Sequence, residues 1–215
     1  MTSPPSPAPS PAHPPSHPPA PVSLDPAIQD RLERFAALLL RWNARLNLIA
    51  PRDEPVLWQR HIADSLQLLP LLPPDADRAI DLGSGGGFPG LVLAIASPIP
   101  FDLVESDQRK AAFLRGAILE TGAHATVHAG RIESVNLPPA PLITARALAP
   151  LPRLLPLAHR LLAPGGTCLF LKGARAAVEI EEAGQGWTMA LTTTQSRTGP
   201  DGVILRIADP RPKTA

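Results

Sequence analysis

A glycine-rich segment, Asp81-Leu82-Gly83-Ser84-Gly85-Gly86-Gly87, directly follows a short apolar run and constrains the fold more than any other feature. Glycine allows positive φ angles and a close approach of the backbone to a ligand, so this composition suits the end of a strand. Around it, apolar runs alternate with helical stretches from Ala79 to Leu171, which predicts βαβ units and a mostly parallel sheet. Residues 187–194 and 203–207 flank a Gly-Pro-Asp-Gly turn and predict a terminal antiparallel hairpin.

The composition divides the chain into three segments. Residues 1–24 are rich in proline and contain no charged side chain, so they have little apolar surface to bury and we expect a disordered tail. Residues 25–74 predict two helices packed on the core, one after the Asp25-Pro26 cap and one from about Pro55 to Leu69. Residues 75–215 carry the alternating strands and helices. We therefore predict an α/β protein with a Rossmann-like, mostly parallel sheet, a C-terminal antiparallel hairpin and two preceding helices.

Composition also argues against several classes of protein. The N-terminal region lacks the positive segment and apolar run of a secretory signal, and no stretch has the roughly 18 uninterrupted apolar residues of a membrane span. The single cysteine, Cys168, excludes an internal disulfide and a multi-cysteine zinc site. The formal net charge is only +1, so any nucleic-acid surface must be a local patch. We expect a monomeric cytoplasmic protein that binds neither a membrane nor a metal.

The glycine-rich segment has the position and the acidic partner that a nucleotide cofactor requires. Ligands of parallel α/β sheets bind beyond the carboxyl ends of the strands, and Gly83 closes the first predicted strand. Glu105 ends the second strand, where a carboxylate accepts hydrogen bonds from the ribose hydroxyls of an adenosine. Asp81 is expected to orient the loop and to offset the positive charges of a sulfonium and an amino group. These features favour S-adenosylmethionine as the cofactor.

A literal G-x-G-x-x-G pattern, formed by Gly85, Gly87 and Gly90, keeps an NAD(P)-dependent oxidoreductase open as an alternative. The first glycine of a dinucleotide fingerprint should close the strand, but Gly85 lies beyond Leu82 by three residues. The predicted terminal hairpin also differs from the all-parallel sheet of such dehydrogenases. The position of the glycines relative to the end of the strand therefore favours S-adenosylmethionine over a dinucleotide.

The residues after the fourth predicted strand bear on the methyl acceptor. That strand ends at Arg146, and no cysteine nucleophile or evident general base follows it. This favours an acceptor with a free lone pair, such as N7 of guanine, which needs alignment and desolvation but no deprotonation. Arg60, His61 and Asp64 share one face of the second predicted helix. They suit a cap on the cofactor pocket, an RNA contact or a solvated face with an ion pair, but are too few for a metal site.

The motifs extend over about residues 38–173, and the most specific combination is R-H-x-x-D-S with G-x-G-x-G-F-P-G. The segments that carry them are Trp42–Leu48, Arg52-Asp53, Arg60–Ser65, Ile80–Gly90, Glu105–Arg115, Arg131–Glu133, Ala145–Ala147 and Leu171–Gly173. Together they resemble the bacterial ribosomal RNA small subunit methyltransferase G family, also called glucose-inhibited division protein B. The C-terminal part beyond Gly173 is similar only loosely, which leaves the RNA-contacting surface unassigned.

The resemblance implies a class I S-adenosylmethionine-dependent methyltransferase fold and methyl transfer to N7 of a guanosine in 16S rRNA of the small ribosomal subunit. The cofactor contacts that it implies are Gly83, Gly85, Phe88, Glu105, Ile132, Glu133 and Arg146. The candidate catalytic residues are Arg146, Arg60, His61 and Asp64. A non-catalytic RNA-binding assembly factor that retains the pocket is a third hypothesis. A small-molecule methyltransferase is disfavoured because no general base or metal cluster accompanies Arg146.

Overall fold

The structure is a computed structural model that describes residues 24–213, so residues 1–23 of the predicted tail lie outside the described residues. Helix α1, Pro26–Leu46, begins where the side chain of Asp25 accepts a hydrogen bond of 2.7 Å from the backbone N–H of Ala27. It ends at Asn47, whose φ of 48° is the left-handed conformation typical of a helix C-cap. The first predicted helix is therefore confirmed. No helix in the described range is long and apolar enough to cross a membrane.

The second predicted helix is present as a run of short helical turns. The run comprises 3₁₀ turns at Pro51–Val56 and Leu69–Leu71, a π-helical turn at Trp58–Ala63, and helix α2, Asp64–Leu66. Proline lacks a backbone N–H donor and disfavours continuous α-helix, so Pro51, Pro55 and Pro70 limit the regular segment. The π turn widens the helix around His61, which changes the neighbours of its side chain.

Seven strands form one sheet with the order β3-β2-β1-β4-β5-β7-β6. The strands are β1 Ala79–Leu82, β2 Phe101–Glu105, β3 Ala125–Ala129, β4 Ala140–Arg146, β5 Leu162–Lys172, β6 Trp187–Gln195 and β7 Val203–Pro212. The first five strands are parallel, and β7 is antiparallel to both β5 and β6. The mostly parallel sheet and the terminal antiparallel hairpin are thus confirmed, with β7 lying between β5 and β6.

Helices cover both faces of the sheet. The remaining helices are α3 Gly90–Ala96, α4 Gln108–Thr121, α5 Leu151–Leu161 and α6 Ala176–Gly186. Helices α1, α3 and α4 pack in one apolar cluster, and α5 and α6 contribute to the other. Ala79 belongs to the first cluster and Ile80 to the second, as the alternation of side chains along a strand requires. The division of the chain into a helical segment, residues 25–74, and a core, residues 75–215, stays a prediction.

Helix α6 was missed in the sequence, and its packing explains why. Its buried residues are Ala176 and Ala183, with Ile180 partly buried between them, so its apolar face is narrow and made mostly of small side chains. Its first turn carries Glu179, whose contacts are made with another part of the chain. Tertiary contacts rather than local apolar periodicity therefore distinguish this segment.

The start of α3 is packed tightly against β1. A Cβ atom on Gly90 would lie 2.4 Å from Cβ and 2.6 Å from Oδ2 of Asp81, which is fully buried in β1. Neither atom belongs to the far end of a flexible side chain, so the helix start would have to shift. Only glycine allows α3 to approach the strand this closely, which positions the glycine-rich loop between them.

We expect Gly90→Ala to lower the free energy of unfolding by about 1–3 kcal/mol because of this overlap. Gly116→Ala is the matched control: no atom outside its own helix backbone lies within 4 Å of the added Cβ, and Gly116 is interior to α4. That substitution should raise the free energy of unfolding by up to about 1 kcal/mol through helix propensity. Urea unfolding of both variants measures the difference, and equal stabilities would contradict the packing described for Gly90.

Candidate functional site

Two cavities open at the carboxyl ends of the parallel strands, where α/β sheets bind ligands. The glycine-loop cavity, about 690 Å³, is lined by the Gly83–Gly86 segment and by the ends of β2 and β3. The hairpin cavity, about 810 Å³, is lined by Asp53, by the end of β5 and by the loop between β6 and β7. The cavities share a wall formed by His61, Arg146, Ala147, Leu148 and Ala149. Two ligands bound in them would meet at this shared wall.

The glycine-rich loop is shaped by backbone conformation and by Glu105. Gly83, Gly85 and Gly87 have φ angles of 68°, 53° and 93°, which side chains other than glycine rarely adopt. The Glu105 carboxylate accepts one hydrogen bond of 2.8 Å from the Gly85 N–H and another of 2.8 Å from the Asp107 N–H. Each carboxylate oxygen keeps a second lone pair for a ligand. Glu105 thus fixes the loop and remains able to accept further hydrogen bonds.

Every cofactor-contact residue expected from the sequence lines the glycine-loop cavity. These residues are Gly83, Gly85, Phe88, Glu105, Ile132, Glu133 and Arg146. Ile132 and Glu133 lie on the 3₁₀ turn after β3, with Ile132 buried and Glu133 exposed. The four expected catalytic residues line the hairpin cavity, and His61 and Arg146 line both. The fold brings together positions that are far apart in the chain, as the motif interpretation predicts.

Arg146 makes most of the contacts on the shared wall. Its guanidinium carbon lies 4.7 Å from the centre of the Phe88 ring, in cation–π geometry. One terminal nitrogen lies 2.7 Å from Nδ1 of His61, and the other lies 3.3 Å both from Oδ2 of Asp64 and from the carbonyl oxygen of Arg60. Burial lowers the pKa of Arg146, and the adjacent Asp64 carboxylate opposes that shift. An arginine still stays charged at neutral pH, so this wall carries a fixed cation.

His61 is held as a neutral acceptor. Its ring stacks on Phe88 with 5.0 Å between centroids, and Nε2 lies 3.4 Å from Oδ2 of Asp53. Burial, with the nearby positive charge of Arg146, lowers the pKa of His61 from 6.5 to about 4. Arg146 can only donate, so Nδ1 accepts and the ring proton resides on Nε2, facing Asp53. At neutral pH the lone pair on Nδ1 is engaged by Arg146.

Asp64 connects the N-terminal helical run to the hairpin loop. Its Oδ1 accepts hydrogen bonds from the Gln67 amide at 2.7 Å, the Thr198 hydroxyl at 2.5 Å and the Ser196 hydroxyl at 3.3 Å. The sequence suggested that Arg60 and Asp64 are neighbours, but Arg60 pairs with Asp53 at 3.1 Å instead. The π-helical turn through Arg60 and His61 alters the side-chain offsets that an α-helix would give.

Asp81 does not line either cavity, so its expected effect on the charges of a bound cofactor stays a prediction. It is fully buried behind the loop, and its Oδ1 accepts a hydrogen bond of 2.6 Å from the Thr144 hydroxyl. Burial raises the pKa of Asp81 from 3.8 to about 6, and the Thr144 hydrogen bond opposes that shift. Asp81 therefore supports the loop from the strand side, by joining β1 to β4.

A buried ion pair, Lys172 with Glu179, holds the loop that follows Arg146. Lys172 Nζ lies 2.8 Å from Glu179 Oε2 and donates a hydrogen bond of 2.6 Å to the carbonyl oxygen of Ala149. The same Glu179 oxygen accepts from the Leu151 N–H at 2.9 Å. Ala147 in this loop has a φ of 50°, a strained conformation for a residue with a Cβ atom. The ion pair therefore fixes the chain at Ala149 and Leu151, directly after the strained residue Ala147 of the shared wall.

Sequence reasoning did not identify Asp53, Lys172 or Glu179 as parts of the site. Lys172 stands in a segment that supported the family resemblance, but Glu179 lies on the unpredicted helix α6. Asp53 precedes His61 on a separate 3₁₀ turn, so no helical spacing links the two. Within residues 24–213, no group of three or more His, Cys, Asp or Glu side chains is arranged to hold a metal ion.

Comparison with known proteins agrees with this arrangement. A family model described as rRNA small subunit methyltransferase G matches residues 28–201. Ribosomal RNA small subunit methyltransferase G from Acidiphilium cryptum is 58% identical over 183 residues, which cover 84% of each chain. The protein of that name from Gluconobacter oxydans is 56% identical over 180 residues, covering 84% of this chain and 93% of the relative. A methyltransferase structure from Pyrococcus furiosus, 16% identical, has a TM-score of 0.56 and covers 84% of this chain and 98% of its own, which supports the fold.

The raised pKa of Asp81 predicts a specific dependence of stability on pH. Between pH 3.8 and about 6, Asp81 is ionised in the unfolded chain but still protonated in the folded protein, so its contribution to stability falls as pH rises. Asp81→Asn cannot titrate. The stability of the wild type relative to this variant should therefore decline by about 3 kcal/mol across that interval. Urea unfolding at several pH values measures it, and a constant difference would contradict the burial effect.

The Lys172–Glu179 pair predicts non-additive stability changes. Lys172→Met leaves the Glu179 carboxylate buried without its cation and should lower the free energy of unfolding by about 3 kcal/mol. The double variant Lys172→Met/Glu179→Met removes both charges and should lose clearly less than the single variant. A double-mutant cycle by chemical unfolding gives the coupling. Additive losses would show that the two side chains act independently.

Proposed function

The chain belongs to the rRNA small subunit methyltransferase G family, and we propose that it transfers a methyl group from S-adenosylmethionine to N7 of a guanosine in 16S rRNA. The physiological substrate is then RNA of the small ribosomal subunit, modified in the cytoplasm by a monomeric enzyme that uses no metal. The observation that carries the proposal is the shared wall, because it joins a cavity suited to an adenosine cofactor with a second cavity large enough for a nucleotide.

The glycine-loop cavity fits S-adenosylmethionine, which supplies an electrophilic methyl group on its sulfonium. Glu105 offers its remaining lone pairs to the ribose hydroxyls while it holds the Gly85 amide in place. Ile132 provides an apolar contact for the adenine, and Glu133 lies beside it at the cavity edge. Gly83 has a φ of 68°, and a Cβ there would lie 2.6 Å from Leu148 Cδ1, so another residue would strain the loop and displace the Leu148 side chain.

The chemistry of the shared wall favours an acceptor that needs no deprotonation. Nδ1 of neutral His61 is occupied by Arg146, and the Asp64 carboxylate accepts hydrogen bonds from several donors. Neither group is free to remove a proton from an acceptor. Guanine N7 already has a lone pair, so the protein has only to align it with the methyl group and exclude water.

Arg146, His61 and Phe88 supply that alignment. The guanidinium is fixed on one face by Phe88 and at its edge by His61 and Asp64, so its position is set before either ligand binds. Asp64 also balances its charge, which limits repulsion of the positive charge that moves from sulfur to the guanine during transfer. Arg60 contributes its carbonyl oxygen to Arg146 and leaves its side chain at the cavity mouth.

The two other hypotheses are distinguished by ligand and by product. An NAD(P)-dependent oxidoreductase is not favoured, since the sheet ends in antiparallel strands and the family consists of methyltransferases. A non-catalytic assembly factor would retain cofactor binding without methyl transfer. Measurements of ligand binding and of methyl transfer with the purified protein therefore distinguish both from the proposed activity.

The direct test is transfer of a labelled methyl group to small subunits isolated from cells that lack this enzyme, with mass-spectrometric mapping of the modified base. We expect one N7-methylguanosine in 16S rRNA and none with Gly83→Asp, which should also abolish saturable cofactor binding. Binding of S-adenosylmethionine without transfer to RNA or subunits would favour the assembly factor. Binding of NADH instead would favour the oxidoreductase.

Arg146→Lys tests the alignment role. Lysine keeps the positive charge but cannot contact His61 and Asp64 simultaneously with a planar fork, so kcat should fall by about 100-fold through misalignment. The dissociation constant for S-adenosylmethionine should change by less than about tenfold, since Glu105 and the glycine loop remain. Arg41→Lys, on the exposed surface of α1, is the control. An unchanged kcat for Arg146→Lys would refute the alignment role.

A further inference from the structure

Four exposed arginines lie in the lining of the hairpin cavity or next to its lining residues in the chain. Arg60 lines the cavity, and Arg52 lies 4.0 Å from Asp53, the carboxylate that also pairs with Arg60. Arg175 directly follows the cavity-lining residue Ala174, and Arg197 stands between two further lining residues of the hairpin loop. We call Arg52, Arg60, Arg175 and Arg197 the arginine rim. Three segments that are distant in sequence thus place an arginine in or directly beside the lining of one cavity.

These guanidinium groups are available to a ligand. The side chains of Arg52 and Arg60 are 83% and 57% exposed despite their contacts with Asp53. Arg175 and Arg197 are exposed, and neither side chain has an ion pair or hydrogen bond within residues 24–213. The backbone of Arg197 is nevertheless fixed, since its N–H donates to the Gln67 side chain at 3.2 Å. Arg197 therefore combines an anchored backbone with a cationic side chain that is unpaired among the described residues.

The carboxylates deeper in the cavity do not cancel this charge. Asp64 is paired with Arg146, and Glu179 is paired with Lys172. Each pair is nearly neutral as a unit. The exposed Asp201 of the hairpin loop also lines the cavity and offsets one positive charge, so Arg175 and Arg197 still leave a net positive charge at the mouth. Because the whole chain has a formal net charge of only +1, attraction for a polyanion must come from such a local group rather than from a general positive field.

We infer that the arginine rim binds RNA phosphates on either side of the acceptor nucleotide, an assignment that rests on the proposed function. Guanidinium groups bind phosphate oxygens through two parallel hydrogen bonds, and such contacts supply affinity and register without reading sequence. The acceptor base enters the hairpin cavity, so its nucleotide must leave any stacked helix, and the flanking strand then passes over the rim. The preferred ligand is a single-stranded or bulged segment of RNA.

The decisive variant is Arg175→Gln/Arg197→Gln, since neither side chain takes part in the shared wall. We expect KM for the small subunit to rise about tenfold, with kcat at saturation and S-adenosylmethionine affinity unchanged within about twofold. The slope of log affinity against log salt concentration should become shallower by about 1.4, which corresponds to two lost phosphate contacts on a single strand. Arg175→Lys/Arg197→Lys keeps both charges and should retain most of the salt dependence.

Arg41→Gln/Arg206→Gln is the matched control, because both arginines are exposed and neither lines either of the two cavities or directly adjoins a lining residue in the chain. It removes the same charge and should leave KM and the salt slope unchanged. Equal effects of the two double variants, or no effect of the rim variant, would overturn the inference. Thermal unfolding checks that all variants are folded.

The binding measurement separates failure of the inference from failure of the proposed function. Fluorescence anisotropy with a labelled single-stranded 16S rRNA fragment measures the contribution of the rim to RNA affinity, even if the wild type transfers no methyl group. Normal methyl transfer with an unchanged rim variant would refute the inference alone. Rim-dependent binding of polyglutamate, with no difference in RNA binding between rim variant and wild type, would instead indicate an acidic protein partner and overturn the assignment to RNA.

Discussion

The contact of the Arg146 guanidinium with Phe88, His61 and Asp64 is the interaction on which the rest of the site depends. It brings the carboxyl end of β4, the glycine-rich loop and the N-terminal helical run to one point. Without it, the wall between the two cavities would not be held in place. No fixed group would then align one ligand with the other across that wall. A buried cation is tolerated there because a carboxylate, a neutral imidazole and an aromatic face surround it.

Much of the core could be predicted from the sequence because its signals are local. The cap at Asp25, the apolar stripe of α1 and the alternation of strands with helices are all readable within short windows. The glycine loop and Glu105 were also identifiable, since strand ends in parallel sheets meet at one edge. These elements account for the glycine-loop cavity, including every residue expected to contact the cofactor.

The hairpin cavity was less predictable because it is built from contacts between distant segments. Asp53 pairs with Arg60 and lies beside His61 on a neighbouring turn. Glu179 pairs with Lys172 and accepts a hydrogen bond at the start of α5. Irregular helical geometry around His61 also changed which side chains meet, so an α-helical spacing rule gave the wrong partner for Arg60. Asp81 differs again: the sequence predicts that it orients the loop and offsets charges of the cofactor, and the structure places it at the buried junction of two strands behind that loop. Its effect on a bound cofactor stays a prediction.

The hydrogen bonds from Ser196 and Thr198 to Asp64 span 132 and 134 positions of the chain. During synthesis, the glycine loop and Arg146 leave the ribosome well before the residues that complete the opposite wall. A nascent chain that ends before the hairpin loop thus has the elements of the glycine-loop cavity but lacks one side of the hairpin cavity. Completion of the acceptor side is therefore coupled to translation of nearly the whole chain, and truncated products cannot form the full site.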